Sequence, residues 1–219
     1  MQNTFNNNNQ SIWIKKQKVF INALKEQKII VVLRINESIL IDKESKHKFL
    51  QKIRKINDAG IKNIEIGWFP HEGWPLLITE ILANFPNIYL GAASITNREA
   101  LKAVIEVGLA YSMSPIWDED LQEEARQKNQ LLIPGVFSPT EIQRAKSFGW
   151  RIVKLFPAST LGIDYIQKLH ISLKPLPFII AAGGINPKEC SKWLIAGHGA
   201  IAIGREIKTD KELDLLVNI

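Results

Sequence analysis

Trp150-Arg-Ile-Val-Lys-Leu-Phe-Pro157 is the stretch on which the fold turns. Gly149 stands before it, where a helix that needs a positive-φ cap would end. Pro157 closes it. Between them lies an apolar run that reads as a short buried strand. One residue breaks the run's character, Lys154. A lysine in a buried strand either snorkels its head to solvent or loses its water. In the second case the ammonium form is disfavoured and the pKa falls, leaving an amine able to attack a carbonyl and form an imine.

The same punctuation repeats outward from this segment. Further short apolar runs lie at Ile29–Leu33, Asn63–Ile66, Ile88–Ala92, Ala110–Met113, Leu131–Pro134, Phe178–Ala181 and Ala200–Ile203. Helical spacing fills the gaps, as in Phe49-Leu50-Ile53-Ile56 and Ala100-Leu101-Val104-Ile105. Gly60, Gly108, Gly149 and Gly197 mark helix ends; Asn97, Ser138 and Asn186 mark helix starts, with Pro139 and Pro187 after two of them. Strand–helix units in this alternation predict a (β/α)8 TIM barrel. A doubly wound sheet would carry a glycine-rich turn after its first strand, where this chain has Arg34-Ile-Asn-Glu37. Ser11–Gln27 reads as a short leading helix with Ile12, Ile14, Val19, Phe20 and Leu24 inward. The asparagine-rich residues 1–10 read as a disordered tail, and 11–219 as one barrel domain.

Composition narrows the function classes. The chain has 219 residues, 46% hydrophobic and 23% charged, which suits one globular domain. Its single cysteine, Cys190, excludes an internal disulfide, and its four scattered histidines lack metal-ligand spacing. The net charge of +6 raises the question of nucleic acid. The lysines are spread, however, and the denser Lys43–Lys55 stretch reads as a solvated helix face. A mild positive field also suits an anionic small molecule. No run has membrane-spanning length and no signal peptide is visible, so a cytoplasmic location is expected.

In a parallel barrel the chemistry gathers at the C-terminal ends of the strands. Those ends carry Arg34, Glu65, Ser94, Pro134, Lys154, Phe156, Gly183, Gly184, Gly204 and Arg205. Glu65 lies inside an apolar strand and needs a partner. It could form a structural ion pair with Lys154, or serve as the proton shuttle that imine chemistry requires. Arg34 can grip a carboxylate bidentately. Gly183-Gly184 before Asn186-Pro187 can be a tight turn, or can present N–H groups to phosphate at a helix N-terminus.

In these segments the chain resembles the 2-keto-3-deoxy-6-phosphogluconate (KDPG) / 4-hydroxy-2-oxoglutarate (KHG) aldolase family. Val31-Val-Leu-Arg34, Ile64-Glu65-Ile66, Gly91-Ala-Ala-Ser94, Ser114-Pro115, Ile133-Pro134-Gly135-Val136, Ser138-Pro-Thr-Glu141, Val153-Lys154-Leu-Phe-Pro-Ala158 and Gly183-Gly184-Ile185 resemble its motifs, in family order. The resemblance implies a class I aldolase that cleaves a 2-keto-4-hydroxy acid to pyruvate and an aldehyde. It implies Lys154 as the imine-forming amine, Glu65 as the proton shuttle, and Arg34 and Ser94 at the keto-acid carboxylate. Pro134 and Phe156 are implied as apolar walls. Gly183, Gly184, Gly204 and Arg205 are implied on the distal, phosphate side. No metal or organic cofactor is needed. A homotrimer is implied, for which Trp68, Phe69, Trp74 and Trp117 are candidate contacts. Departures occur at Phe69, where many members have arginine, at Ala182, where threonine is usual, and at Arg205, where serine is usual. They leave the aldehyde partner open. A transferase on a similar phosphate-binding barrel and a non-catalytic keto-acid-binding relative are the competing readings.

Overall fold

The apolar runs become parallel strands. In a computed structural model of the chain, residues 2–207, 209–217 and 219 are described, with side chains from residue 12 onward. Nine strands form one sheet: β1 (Ile29–Leu33), β2 (Asn63–Gly67), β3 (Tyr89–Ala93), β4 (Tyr111–Met113), β5 (Leu132–Ile133), β6 (Gly135–Val136), β7 (Ile152–Leu155), β8 (Phe178–Ala182) and β9 (Ala200–Ile203). Their order is β5-β4-β3-β2-β1-β9-β8-β7-β6, with every pairing parallel. The two outermost strands, β5 and β6, are joined in sequence through Pro134 alone, so the sheet curls into a nearly closed α/β barrel. The expected strand Leu131–Pro134 is thus two short pieces. Proline has no N–H to give a ladder and divides the run. Its carbonyl still accepts from Lys154 N at 2.9 Å, tying the closure to β7.

Gly135 makes this closure possible. A Cβ there would sit 2.2 Å from the Pro115 carbonyl carbon, so any side chain would push the crossing backbone away.

Helices cover the outside: α1 (Gln2–Glu26), α2 (Glu37–Ile41), α3 (Lys43–Asp58), α4 (Gly73–Asn84), α5 (Arg98–Glu106), α6 (Glu119–Gln127), α7 (Pro139–Phe148), α8 (Ala158–Leu161), α9 (Tyr165–Ser172), α10 (Cys190–Ile195) and α11 (Asp210–Val217). The caps read from the sequence are present. Asn97 accepts from Ala100 N at 2.8 Å, and Ser138 and Glu141 form a reciprocal capping box before α7. Gly149 closes α7 in the left-handed region at φ 104°. The segment after β1 divides into α2 and α3 because Asp42 ends one helix and caps the next, accepting from Ser45 N at 2.7 Å.

Helix α1 differs from expectation. It takes in residues 2–10, read from composition as a tail, because a helix anchored at one end gains a hydrogen bond for each residue added. Its buried stripe is Trp13, Gln17, Phe20 and Leu24, while Ile12 and Val19 face outward. The polar Gln17 belongs in that stripe because its side-chain oxygen accepts from Arg151 N at 2.8 Å, at the entrance to β7. Phe20 stacks on Tyr111 with centroids 4.1 Å apart, and Tyr111 stacks on Tyr89 at 5.4 Å. This packing closes the barrel at the strand beginnings. Burying Phe20 and Leu24 stabilises it by roughly 1.5–3 kcal/mol each. The opposite, C-terminal end stays open and polar.

Candidate active site

Each strand of the barrel sends alternate side chains inward. All five residues of β2 are buried, and Glu65 is centred on it, opposite Val32 of β1 and Gly91 of β3. Its carboxylate is buried from bulk solvent, and neither oxygen has a hydrogen-bond partner among the protein groups. Burial pushes its pKa up to about 7, against the pull of Lys154 and Arg34. On β7, Lys154 pairs in register with Gly135 and Ile180 and is 5% exposed. Burial holds its pKa below that of an ordinary lysine; the Glu65 charge opposes this and the Arg34 charge adds to it. The amine lies 5.3 Å from the centre of the Phe156 ring.

Lys154 and Glu65 form no contact ion pair; the ion pairs among the described residues all join other groups. The purely structural pairing weighed from the sequence is therefore not made. The two desolvated groups influence each other electrostatically without a contact bond.

Arg34 and Ser94 meet at the mouth, with the guanidinium Nη1 donating to the Ser94 hydroxyl at 2.5 Å. Ser94 has φ 67°, a left-handed conformation uncommon outside glycine and asparagine, so the turn after β3 is strained in order to present it. The arginine stem crosses Gly67, where a Cβ would lie 3.1 Å from both Cδ and Nη1. Gly67 was not singled out in the sequence; a glycine two residues beyond Glu65 was the available sign. Burial lowers the Arg34 pKa, Glu65 opposes that, and Arg205 adds to it.

A cavity of about 110 Å³ opens at this end, and Arg34, Lys154, Phe156, Gly183, Gly184, Gly204 and Arg205 all line it. Gly183 and Gly184 have positive φ and fold tightly over neighbouring groups: a Cβ on Gly183 would meet the Phe156 ring at 2.9 Å, and one on Gly184 the Ser159 hydroxyl at 2.3 Å. Ser159 is a second residue that the sequence reading missed. Pro134 is buried in the wall beside Lys154, joined to it through its carbonyl, and is not among the groups lining this cavity.

The helix start expected at Asn186-Pro187 opens as a 3-10 turn, Pro187–Glu189, that continues directly into α10, with Asn186 accepting from Lys188 N at 3.0 Å. One expectation is corrected. Trp74 is fully buried, its indole donating to the Gly67 carbonyl at 3.1 Å, so it is a core residue and not a surface contact. Trp68, Phe69 and Trp117 are half-buried. Nearby, Asp210 pairs with Lys55 at 2.5 Å, and the Glu212 carboxylate accepts from Thr209 N at 2.9 Å. Arg205 is exposed on the cavity rim.

A parallel barrel with a dry amine and a dry carboxylate at its open end has the equipment of an imine-forming enzyme. The chain belongs to the KDPG and KHG aldolase family, whose profile matches residues 20–215; it is a carbon–carbon lyase. It is 24% identical over 159 residues to the 2-dehydro-3-deoxy-6-phosphogalactonate aldolase of Escherichia coli (strain K12), covering 72% of this chain and 77% of that one. It is 28% identical over 177 residues to the 2-dehydro-3-deoxy-phosphogluconate aldolase of Pseudoalteromonas atlantica, covering 80% and 81%. In fold it is similar to the KDPG aldolase of Legionella pneumophila, solved with pyruvate captured as a covalent carbinolamine. That TM-score is 0.69 at 21% identity, covering 88% of this chain and 91% of the other.

Proposed function

We propose that the chain cleaves 2-keto-3-deoxy-6-phosphogluconate reversibly to pyruvate and glyceraldehyde 3-phosphate. The Lys154 amine attacks the C2 ketone and water leaves, giving a protonated imine. The Glu65 carboxylate takes the C4 hydroxyl proton through a water molecule. The C3–C4 bond breaks, its electron pair passes into the imine to form an enamine, and the aldehyde departs. The enamine is protonated at C3, and hydrolysis returns the lysine and releases pyruvate. Arg34 and Ser94 hold the keto-acid carboxylate. Gly183, Gly184 and Gly204, with the Arg205 guanidinium, receive the phosphate.

The observation that carries this reading is the pair of buried ionisable groups, Lys154 and Glu65, shifted toward neutrality at one open barrel end and not bonded to each other. A base with a pKa of about 7 is matched to work near neutral pH. Two neighbouring substrates are the alternatives, 2-keto-3-deoxy-6-phosphogalactonate, favoured by the name of the Escherichia coli relative, and 4-hydroxy-2-oxoglutarate. Measuring kcat/KM for all three decides among them. The proposal stands if the phosphogluconate derivative leads and fails if the unphosphorylated acid does.

The finer architecture belongs to the same proposal. Counting β5 and β6 as one strand divided by Pro134 gives a (β/α)8 barrel, which the Lys154 N–H to Pro134 carbonyl bond supports. Residues 11–219 would form that one domain. We also assign the chain a homotrimeric, cytoplasmic state, with half-buried Trp68, Phe69 and Trp117 as contacts; the molar mass in solution tests the trimer. No helix among the described residues is long and apolar enough to cross a membrane.

A further inference from the structure

Tyr111 lies in the barrel interior with its phenol oxygen buried and without a hydrogen-bond partner, as are both carboxylate oxygens of Glu65. Three unpaired oxygens in a dry interior are costly, since each forfeits its hydration unless something bonds to it. The register explains how they come together. Glu65 pairs with Gly91, and Gly91 pairs with Tyr111, so the three occupy one rung across β2, β3 and β4. The central residue has no side chain, and the phenol ring fills the place: a Cβ on Gly91 would lie 2.4 Å from the ring carbon that bears the hydroxyl. The ring stacks on Phe20 and on Tyr89, at interplanar angles of 28° and 13°. Its orientation is therefore fixed by packing. A phenylalanine would pack equally well here, so the packing does not account for the hydroxyl.

We propose that Tyr111 is a positioning residue for Glu65, donating its phenol hydrogen through one buried water to the carboxylate. This rests on the assignment of Glu65 as the proton shuttle. The hydrogen bond stabilises the charged carboxylate, orients it toward the open end of the barrel, and holds its ionisation within the working range. The groups that face Glu65 are Lys154 from β7, Arg34 from the end of β1 and Tyr111 from β4, with Tyr89 of β3 behind Tyr111. Both cations favour the carboxylate, and burial opposes them. Burial foremost, with the Glu65 charge next, raises the Tyr111 pKa well above the ordinary value, so the phenol remains a donor wherever the enzyme works.

The test is Tyr111→Phe, read in two ways. Infrared difference titration, with Glu65→Gln used to identify the band, gives the ionisation midpoint of Glu65 itself and needs no catalytic assumption. The pH profile of kcat/KM gives the acid limb. We expect the Glu65 midpoint to rise by about one unit in Tyr111→Phe, the scale of one hydrogen bond to a charged group. The acid limb should rise with it, and borohydride trapping of pyruvate should be retained. An unmoved or lowered Glu65 midpoint overturns the proposal. A midpoint that rises while the acid limb stays still keeps the Tyr111–Glu65 link and removes Glu65 as the shuttle. A folded control comes from thermal unfolding, where the ring contacts are unchanged.

Discussion

The two halves of the barrel mouth are built differently. On one half Arg34, Ser94, Glu65 and Lys154 rise from β1, β3, β2 and β7, with Glu65 and Lys154 buried and the arginine bonded to the serine. On the other half a flexible residue type, glycine, supplies Gly183, Gly184 and Gly204, and Arg205 is exposed on the rim beside Glu206. A keto acid needs a defined amine, a defined base and a fixed carboxylate grip, and a tenth-nanometre error in any of them is expensive. A distal phosphate is held by charge and by backbone contacts that many sequences can provide. The departures at Ala182 and Arg205 fall on the second half, and the departure at Phe69 follows β2 on the first.

The sharpest way to break the comparison is to remove the amine. Lys154→Ala should cut kcat by roughly 10⁵–10⁶, the scale seen when a covalent nucleophile is lost, while a circular-dichroism spectrum stays native. Residual turnover within a hundredfold of wild type would mean that no imine carries the reaction.

Glu65→Gln should lower kcat by about 10²–10⁴. Pyruvate should still form an imine, because the Glu65 charge raises the Lys154 pKa and its removal leaves more free amine. Stability should move too. The folded pKa of Glu65, about 7, lies above its ordinary 4.5, so the native state favours the protonated acid. That stabilisation is fully present below pH 4.5 and is lost as pH rises through 7, a cost on the order of 3 kcal/mol. Chemical denaturation at pH 5 and pH 8 should show this loss in wild type and a flatter dependence in Glu65→Gln. A steeper loss in the variant would contradict the burial account.

Arg205→Ser addresses the other half. A guanidinium bonded to phosphate contributes about 1.5–3 kcal/mol, which is ten- to a hundredfold in kcat/KM for the phosphorylated substrate and little for its unphosphorylated counterpart. Equal effects on both would return Arg205 to the solvent. The smallest effect is expected at Ser94→Ala, which removes one hydrogen-bond partner of Arg34 and should raise KM about fivefold with kcat nearly unchanged. A fall in kcat alone would place Ser94 in the chemistry rather than in carboxylate binding.

The strands, the caps and the identities at the strand ends were legible because each rests on local signals: apolar runs, Asn97 and Ser138 before helices, Gly149 after one. What was hidden depends on partners distant in sequence. Gln17 looks like a break in an apolar stripe until Arg151, 134 residues away, supplies its bond. Tyr111 reads as an ordinary core aromatic because its rung with Gly91 and Glu65 exists only in the folded sheet. Pro134 was visible as a strand end, but its role as the link between β5 and β6 requires barrel closure. Trp74 looked like a surface candidate because nothing local announces that its indole reaches the Gly67 carbonyl.

The central claim is that Lys154 is the imine-forming amine. Incubation with pyruvate and borohydride, followed by peptide mass spectrometry, tests it most directly, since reduction turns the labile imine into a stable amine. A single adduct on the peptide containing Lys154, absent from Lys154→Ala, is the predicted result. No adduct, or one on a different lysine, would contradict the account.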